Sequence, residues 1–254
     1  MRKRKAGIGI FVIVLIITAV RVKSMDSHRI SGRILAENIA GPGMMRLVEQ
    51  SMQAQAQKTS VTEIAVKERK HPQAALTFDD GPDIRYTPLL LDGLKERNVR
   101  ASFFLLGEKV EQYPELVERM QKEGHLVGNH TYHHVQLNKL NETKAREEIL
   151  KTNNLIYETT GVYPLSLRPP FGAWKKNLEL CVEMLPVFWT IDTLDWKVQN
   201  TEKIVRTVQE QIEDGAIILM HDEYDTSVEA ALQVVDELKN QGYELVTVDQ
   251  LILP

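Results

Sequence analysis

The residues that could do chemistry lie in short polar clusters that follow apolar runs. Residues 77–83 read TFDDGPD, so Asp79 and Asp80 stand side by side where a strand-like run ends. Asp-Gly and Gly-Pro are common turn dipeptides, and a turn alone would explain the pair. Carboxylates also bind metals and accept protons, and adjacent strand residues point to opposite sides. The pair therefore suits two separate tasks, one carboxylate as metal ligand and the other as base.

A second cluster, HTYHH, contains His130 and His134 four positions apart. If a helical turn starts there, the two imidazoles lie on one face and can share a metal ion. With an aspartate from another strand end they make three protein ligands and leave one position open, as in catalytic zinc sites. Such a metal polarises a carbonyl group and acidifies a water molecule. His133 does not fit the spacing, and we expect it at the surface or behind the ligands.

Three further clusters follow apolar runs in the same way. RPPFG contains Arg168, DTLDW contains Asp192 and Asp195, and LMHD contains His221. An arginine and an aspartate can orient and tune a base, and a histidine can protonate a leaving group. Each residue alone has an ordinary structural explanation, such as a surface ion pair or a buried histidine with a hydrogen-bond partner. Polar clusters after five separate runs favour one common site.

The elements between these clusters predict a parallel α/β fold. Seven apolar runs alternate with segments of helical spacing. The runs are AALTF, ASFFLL, HLVGNH, LSLRPP, PVFWTI, AIILMH and YELVTV. The clearest helix is predicted in NETKAREEILKTNNLIYETTG. Asn141 is its predicted N-cap, and its apolar face contains Ala145, Ile149, Leu155 and Ile156. In such folds, sites collect at the carboxyl ends of the strands. Periodicity leaves a barrel and a doubly wound sheet as open alternatives.

Composition excludes several classes of function. The 254 residues carry a net charge of -4 without a basic stripe beyond the N-terminus, which argues against a nucleic-acid partner. The single cysteine, Cys181, allows neither an intramolecular disulfide nor a thiolate zinc cluster. It lies in LELCVEML, a helix-like segment, and we expect it to be buried.

The N-terminus predicts a membrane-targeting segment. MRKRK precedes an apolar run from Ala6 to Val20, which as a helix spans roughly 22 Å against about 30 Å of hydrocarbon. Arg21 and Lys23 stand where a cleavage site needs small neutral residues, so we favour an uncleaved anchor over a signal peptide for residues 1–23. Residues 24–70 read as a linker or stalk. The rest of the chain is expected outside the cytoplasm, on the cell membrane or secreted if the segment is cleaved.

TFDDGPD, HTYHH, RPPFG, DTLDW and LMHD together resemble the five motifs of the polysaccharide deacetylases, carbohydrate esterase family 4 with its NodB-homology domain. The resemblance runs from about residue 72 to the C-terminus. It implies a distorted (β/α) barrel of seven strands in residues 71–254. It also implies metal-dependent removal of N-acetyl groups, or sometimes O-acetyl groups, from a polysaccharide.

The resemblance assigns roles to individual residues. Asp79 resembles the catalytic base and Arg168 the residue that holds it. The metal ligands, for zinc most often but also cobalt or another divalent ion, are Asp80, His130 and His134. Asp195 resembles the aspartate that tunes the site, and His221 the general acid.

On the substrate side, the resemblance places Trp196 and Leu219 in the acetyl pocket. The backbone N–H of Phe171 would help to stabilise the oxyanion. Many relatives have tyrosine at this position, so a hydroxyl contact to the sugar is lost and the substrate preference becomes open.

The leading hypothesis is a membrane-tethered, monomeric deacetylase of N-acetylglucosamine in peptidoglycan. Alternatives within the enzyme class are chitin, chitooligosaccharide or xylan deacetylases, and one acting on N-acetylmuramic acid. The anchor and the lack of an appended carbohydrate-binding module favour the cell's own envelope. A non-catalytic glycan-binding protein is the alternative from another class, and the intact base and ligands argue against it.

Overall fold

Short buried strands alternate with helices along residues 70–174 and 184–252, which the computed structural model describes. The strands are β1 Gln73–Asp79, β2 Ser102–Leu105, β3 Leu126–Asn129, β4 Ser166–Leu167, β5 Leu185–Pro186, β6 Ile191–Asp192, β7 Ala216–His221 and β8 Glu244–Leu245. The helices are α1 Tyr86–Glu96, α2 Gly107–Gln112, α3 Pro114–Lys122, α4 Glu142–Thr160, α5 Asp195–Val198, α6 Thr201–Gln211, α7 Asp225–Asn240 and α8 Val248–Ile252. Single 3-10 turns occur at Leu137–Lys139 and Pro170–Gly172.

All strand pairs are parallel, which confirms the α/β prediction. The hydrogen-bonded order is β5-β4-β3-β2-β1-β7-β6, and β8 also pairs with β1. Asp79 at the end of β1 is in register with Phe104 on one side and His221 on the other. The ends of neighbouring strands therefore bring their polar residues to one edge of the sheet.

The prediction of a single strand in PVFWTI is wrong. The structure has two short strands there, β5 and β6, which are the first and last strands in the hydrogen-bonded order. Val187 N still donates to Leu167 O, and Thr190 N already donates to Ile217 O. The chain thus crosses from β4 to β7 within a few residues. Among the described residues β5 and β6 do not pair, so the sheet forms a parallel half-barrel rather than a closed hydrogen-bonded barrel.

The helix predicted from residue 141 onward is confirmed as α4. The Asn141 side chain accepts a hydrogen bond from Lys144 N at 2.9 Å and so caps the helix. Gly161 ends it with a φ of 73°, which glycine adopts without a steric penalty. Of the four predicted apolar positions, Ala145, Ile149 and Ile156 are buried. The fourth, Leu155, is partly buried.

The core lies between the sheet and the helices that cover it. Phe78 of β1 stacks on Phe103 of β2 with ring centroids 5.3 Å apart, and both side chains are buried. The buried faces of α1 and α7 pack in the same cluster. This packing fixes the strand ends that carry the polar residues.

Several predictions fall outside the described residues. These are the anchor at residues 1–23, the linker at residues 24–70 apart from Lys70, and the buried position of Cys181. Within the part of the chain that the structure describes, no helix is long and apolar enough to span a bilayer.

Candidate active site

Asp80, His130 and His134 converge beyond the carboxyl ends of β1 and β3. Their potential ligand atoms all lie within 4.8 Å of one another. The Nε2 atoms of His130 and His134 are each 3.4 Å from Asp80 Oδ1. Asp80 Oδ1 is buried and has no hydrogen-bond partner among the described residues. One carboxylate oxygen without a partner and two imidazole nitrogens make a donor set that fits a divalent metal ion.

The histidine pair converges by a route that spacing did not predict. The expected helical turn is absent from residues 130–134, because Thr131 and His134 have φ values of 67° and 54°. These left-handed residues turn the chain so that the rings of His130 and His134 lie 5.0 Å apart. The convergence is therefore built by the loop rather than by helical periodicity.

The hydrogen bonds and burial of the histidines suit metal binding. His130 Nδ1 is 2.7 Å from the carbonyl oxygen of Arg168. A carbonyl oxygen only accepts, so Nδ1 carries the hydrogen, and in the neutral imidazole the Nε2 lone pair faces Asp80. Burial lowers the pKa of His134, which favours the neutral imidazole that metals require. Burial raises the pKa of Asp80, but the side-chain interaction with His130 and the charges of His130, His134 and His221 outweigh this and hold the pKa well below its usual range.

Asp79 lies beside this group and is held by a buried arginine. Arg168 Nη1 donates to Asp79 Oδ1 at 2.8 Å and to Thr77 Oγ1 at 2.6 Å. Asp79 Oδ2 remains on the side of the three ligands, 3.8 Å from His130 Nε2. The two adjacent aspartates thus have different partners, as predicted, although both reach the same site.

The surroundings of Arg168 explain why it needs Asp79. Its side chain is fully buried, with the guanidinium carbon 4.3 Å from the ring centre of Phe104 and 5.8 Å from that of Trp189. Burial lowers the pKa of Arg168, and the Asp79 carboxylate opposes this. A buried guanidinium without a counter-ion is strongly unfavourable, so the pair is interdependent.

His221 is paired with Asp195. His221 Nδ1 and Asp195 Oδ1 are 2.7 Å apart, and His221 N donates to Asp195 Oδ2 at 2.7 Å. Burial alone would lower the pKa of His221, but the hydrogen bond and charge of Asp195 and the charges of Asp79 and Asp80 raise it to about 9. The remaining nitrogen, Nε2, is 3.8 Å from Asp80 Oδ2. The sequence predicted that Asp195 helps to tune a base, and in the structure both of its carboxylate oxygens contact His221 rather than Asp79.

The three residues assigned to the substrate side lie around this centre. Phe171 sits in the 3-10 turn with a φ of 59°, 62% exposed, and its ring is 4.5 Å from that of His134. Trp196 follows Asp195 in α5 and is half exposed, whereas Leu219 is buried in β7 two residues before His221. Their roles in substrate binding stay predictions.

Sequence reasoning missed several supporting residues. Thr77 was findable, because it shares a strand face with Asp79. Asp222 was noted only as a neighbour of His221, yet it is fully buried and accepts a hydrogen bond from the Thr87 hydroxyl. Burial raises the pKa of Asp222 to about 7. A Cβ at Gly81 would lie 2.5 Å from Asp222 Oδ1, so the turn after the two aspartates requires glycine there. His133 is largely exposed, as expected.

Comparison with known proteins places this geometry in context. Residues 66–187 match the sequence model of the family described as polysaccharide deacetylase. The chain is 42% identical over 185 residues to the peptidoglycan-N-acetylglucosamine deacetylase PgdA of Listeria monocytogenes, covering 73% of this chain and 40% of that protein. It is 40% identical over 186 residues to a peptidoglycan-N-acetylglucosamine deacetylase of Bacillus cereus, covering 70% of this chain and 68% of that protein.

A third relative has a solved structure. The peptidoglycan-N-acetylmuramic acid deacetylase PdaC of Bacillus subtilis is 44% identical over 177 residues, covering 70% of this chain and 38% of that protein. The structure of PdaC superposes with a TM-score of 0.70 at 42% identity, covering 72% of this chain and 90% of that one. The chain thus spans less than half the length of the Listeria and Bacillus subtilis relatives.

Proposed function

We propose, because the chain belongs to the polysaccharide deacetylase family, that it removes N-acetyl groups from N-acetylglucosamine in peptidoglycan by metal-dependent hydrolysis. One observation carries the proposal. Two groups lie beside the three candidate metal ligands. One is the base Asp79, which a buried arginine holds, and the other is the protonated His221, which an aspartate holds. That combination matches what the hydrolysis of an amide requires.

The donor set of Asp80, His130 and His134 suits Zn²⁺, which in catalytic sites takes three protein ligands and leaves one position open for water. When bound there, the cation would polarise the acetyl carbonyl and acidify the attacking water. The Arg168 carbonyl fixes the tautomer of His130, and burial lowers the pKa of His134 towards the neutral imidazole that coordination needs.

Asp79 acts as the general base. Its Oδ1 is occupied by Arg168, so Oδ2 is the oxygen that accepts a proton from water as the water oxygen bonds to the acetyl carbon. The guanidinium fixes the direction of the carboxylate. The backbone N–H of Phe171, next to His134, would donate to the oxyanion that forms.

His221 acts as the general acid. Nδ1 is occupied by Asp195, so Nε2 donates the proton to the amide nitrogen as the carbon–nitrogen bond breaks. The products are acetate and a free amino group on the sugar. Trp196 and Leu219 would enclose the acetyl methyl group, a role supported by their positions next to Asp195 and His221.

The choice of sugar rests on the relatives. Two of those described above are named for N-acetylglucosamine and one for N-acetylmuramic acid, so the second sugar is the competing substrate. We further propose that residues 1–23 anchor the protein in the cell membrane with the catalytic part outside. The basic cluster followed by an apolar run supports this location.

The test is acetate release by the purified full chain from peptidoglycan, chitin pentamer and acetylated xylan. We expect release from peptidoglycan that a chelator abolishes and zinc restores. Mass spectrometry of the digested glycan then shows which sugar has lost its acetyl group. If only N-acetylmuramic acid loses its acetyl group, that sugar replaces N-acetylglucosamine as the proposed substrate. If the zinc-loaded protein releases no acetate from any polymer, the result favours non-catalytic glycan binding.

A further inference from the structure

The loop that carries two of the three ligands, residues 130–134, has an unfavourable backbone. Thr131 and His134 both have positive φ, which is uncommon for residues other than glycine and particularly so for β-branched threonine. Such conformations persist only where the surroundings impose them. The groups that impose this one are therefore expected to control where the His130 and His134 nitrogens lie.

Glu148, on helix α4, binds the middle of this loop. Its Oε2 accepts hydrogen bonds from Tyr132 N at 3.1 Å and from His133 N at 2.9 Å. Its Oε1 lies 2.8 Å from His133 Nδ1. The Glu148 side chain is only 16% exposed, so one largely buried carboxylate joins two consecutive backbone amides between the two ligands.

The same helix supports the start of the loop through Asn129. Asn129 Oδ1 accepts from Thr131 N at 2.6 Å, at the first residue with positive φ. Asn129 Nδ2 donates to Ile149 O at 2.9 Å and to Asn153 Oδ1 at 2.7 Å, both on α4. Helix α4 thus holds the loop on one side at two successive points.

The other side of the loop rests on the first turn of α2. Gly107 N donates to Thr131 O at 3.0 Å and Glu108 N donates to Tyr132 O at 3.3 Å. These bonds join neutral backbone groups, whereas the bonds to Glu148 are accepted by a side-chain carboxylate and are the stronger kind. The carboxylate is also a contact of this loop that a side-chain substitution can remove without altering a metal ligand.

We propose that Glu148 is a positioning residue that presets the spacing of His130 and His134 for the metal ion. The inference rests on the proposed metal site but not on the identity of the sugar. Groups that orient ligands from behind typically account for 10–100-fold in metal affinity, so Glu148→Ala should weaken zinc binding by ~10–100-fold. Glu148→Gln keeps one acceptor oxygen for the backbone amides and should retain most of the affinity.

The experiment measures zinc dissociation constants for the full-length protein by competition with a chromophoric chelator. The absorption spectrum of the cobalt-substituted protein reports ligand geometry. Two matched controls are available. Glu147→Ala removes a neighbouring exposed carboxylate, and His133→Ala removes the imidazole but keeps the backbone amides. The zinc dissociation constants of both controls should lie within about twofold of that of the unaltered protein. Glu148→Ala should raise the constant by at least ~10-fold, so the two outcomes are distinguishable.

Three results bear on the proposal. Weaker zinc binding and an altered cobalt spectrum in Glu148→Ala, with partial recovery in Glu148→Gln, support it. Unchanged affinity in Glu148→Ala overturns it. If Glu148→Ala does not fold, Glu148→Met decides, because it keeps the length of the side chain but offers no oxygen to the two backbone amides, and an unaltered affinity and cobalt spectrum there also overturn the proposal. Zinc binding and acetate release by the unaltered protein test the proposed site and function separately.

Discussion

Replacing Asp195 by asparagine should move the alkaline limit of activity to lower pH. Asp195 makes two hydrogen bonds to His221, at 2.7 Å each, and its charge helps to raise the pKa of His221 to about 9. Asparagine keeps the size of the side chain but removes the charge. It also offers one acceptor where the aspartate used two, so one His221 donor loses its partner.

The magnitude follows from the pKa of His221. At pH 8 a histidine with a pKa of about 9 is roughly 90% protonated, whereas one with the ordinary value of about 6.5 is roughly 3% protonated. The proton donor would thus fall about 30-fold at pH 8 and change little at pH 6. We expect the alkaline limb of kcat to shift downward by as much as about 2.5 pH units. A bound cation lowers both pKa values, so the difference between the two proteins is the quantity to compare.

The assay is the pH dependence of acetate release by zinc-loaded protein, with Asp192→Asn as the control. Among the described residues, the Asp192 side chain accepts a hydrogen bond only from Leu194 N, and its substitution should leave the limb in place. An unshifted limb in Asp195→Asn would refute the assignment of His221 as an acid tuned by Asp195.

A stability measurement on the metal-free protein gives an independent check of the His221–Asp195 pair. The folded-state pKa of His221 is raised, so its stabilisation is fully present below about pH 6.5 and is lost as the pH rises through about 9. The free energies of unfolding of the unaltered protein and Asp195→Asn differ by a pH-dependent amount of at most ~3 kcal/mol. Urea unfolding at pH 6 and pH 10 measures it. A difference that grows with pH would contradict the sign.

Three further predictions concern the base, its partner and the ligands. Asp79→Asn should lower kcat by ~100-fold or more in acetate assays while zinc affinity changes only slightly; equal zinc loss in Asp79→Asn and His134→Ala would show that the two aspartates are wrongly assigned. His134→Ala should lose zinc, measured by metal analysis after gel filtration, because it removes one of three ligands. Arg168→Met should destabilise the protein by about 3–5 kcal/mol in urea unfolding, because it leaves the buried Asp79 without its counter-ion, and a loss below 1 kcal/mol would contradict that interdependence.

The positions of the reactive residues were predictable where local rules decide them. Asp79 and His221 were placed at strand ends from the apolar runs before them, and parallel pairing puts them in register. Asn141 was identified as a helix cap because capping depends on residues within one turn.

The remaining features depend on tertiary packing. The loop with Thr131 and His134 in left-handed conformations is imposed by neighbouring elements, so spacing alone suggested a helical turn that does not form. The role of Glu148 depends on how α4 packs beside β3, and a carboxylate in the middle of a helix gives no sequence signal of it. PVFWTI reads as one strand because its apolar content is continuous, whereas its two ends pair with different strands.

The most direct test of the central claim measures zinc content and acetate release on the same samples of the unaltered protein and Asp79→Asn, with peptidoglycan as substrate. We expect both proteins to carry zinc and only the unaltered one to release acetate, in a chelator-sensitive reaction. Acetate release by zinc-loaded Asp79→Asn at the rate of the unaltered protein would contradict the assignment of Asp79 as the base and the mechanism built on it.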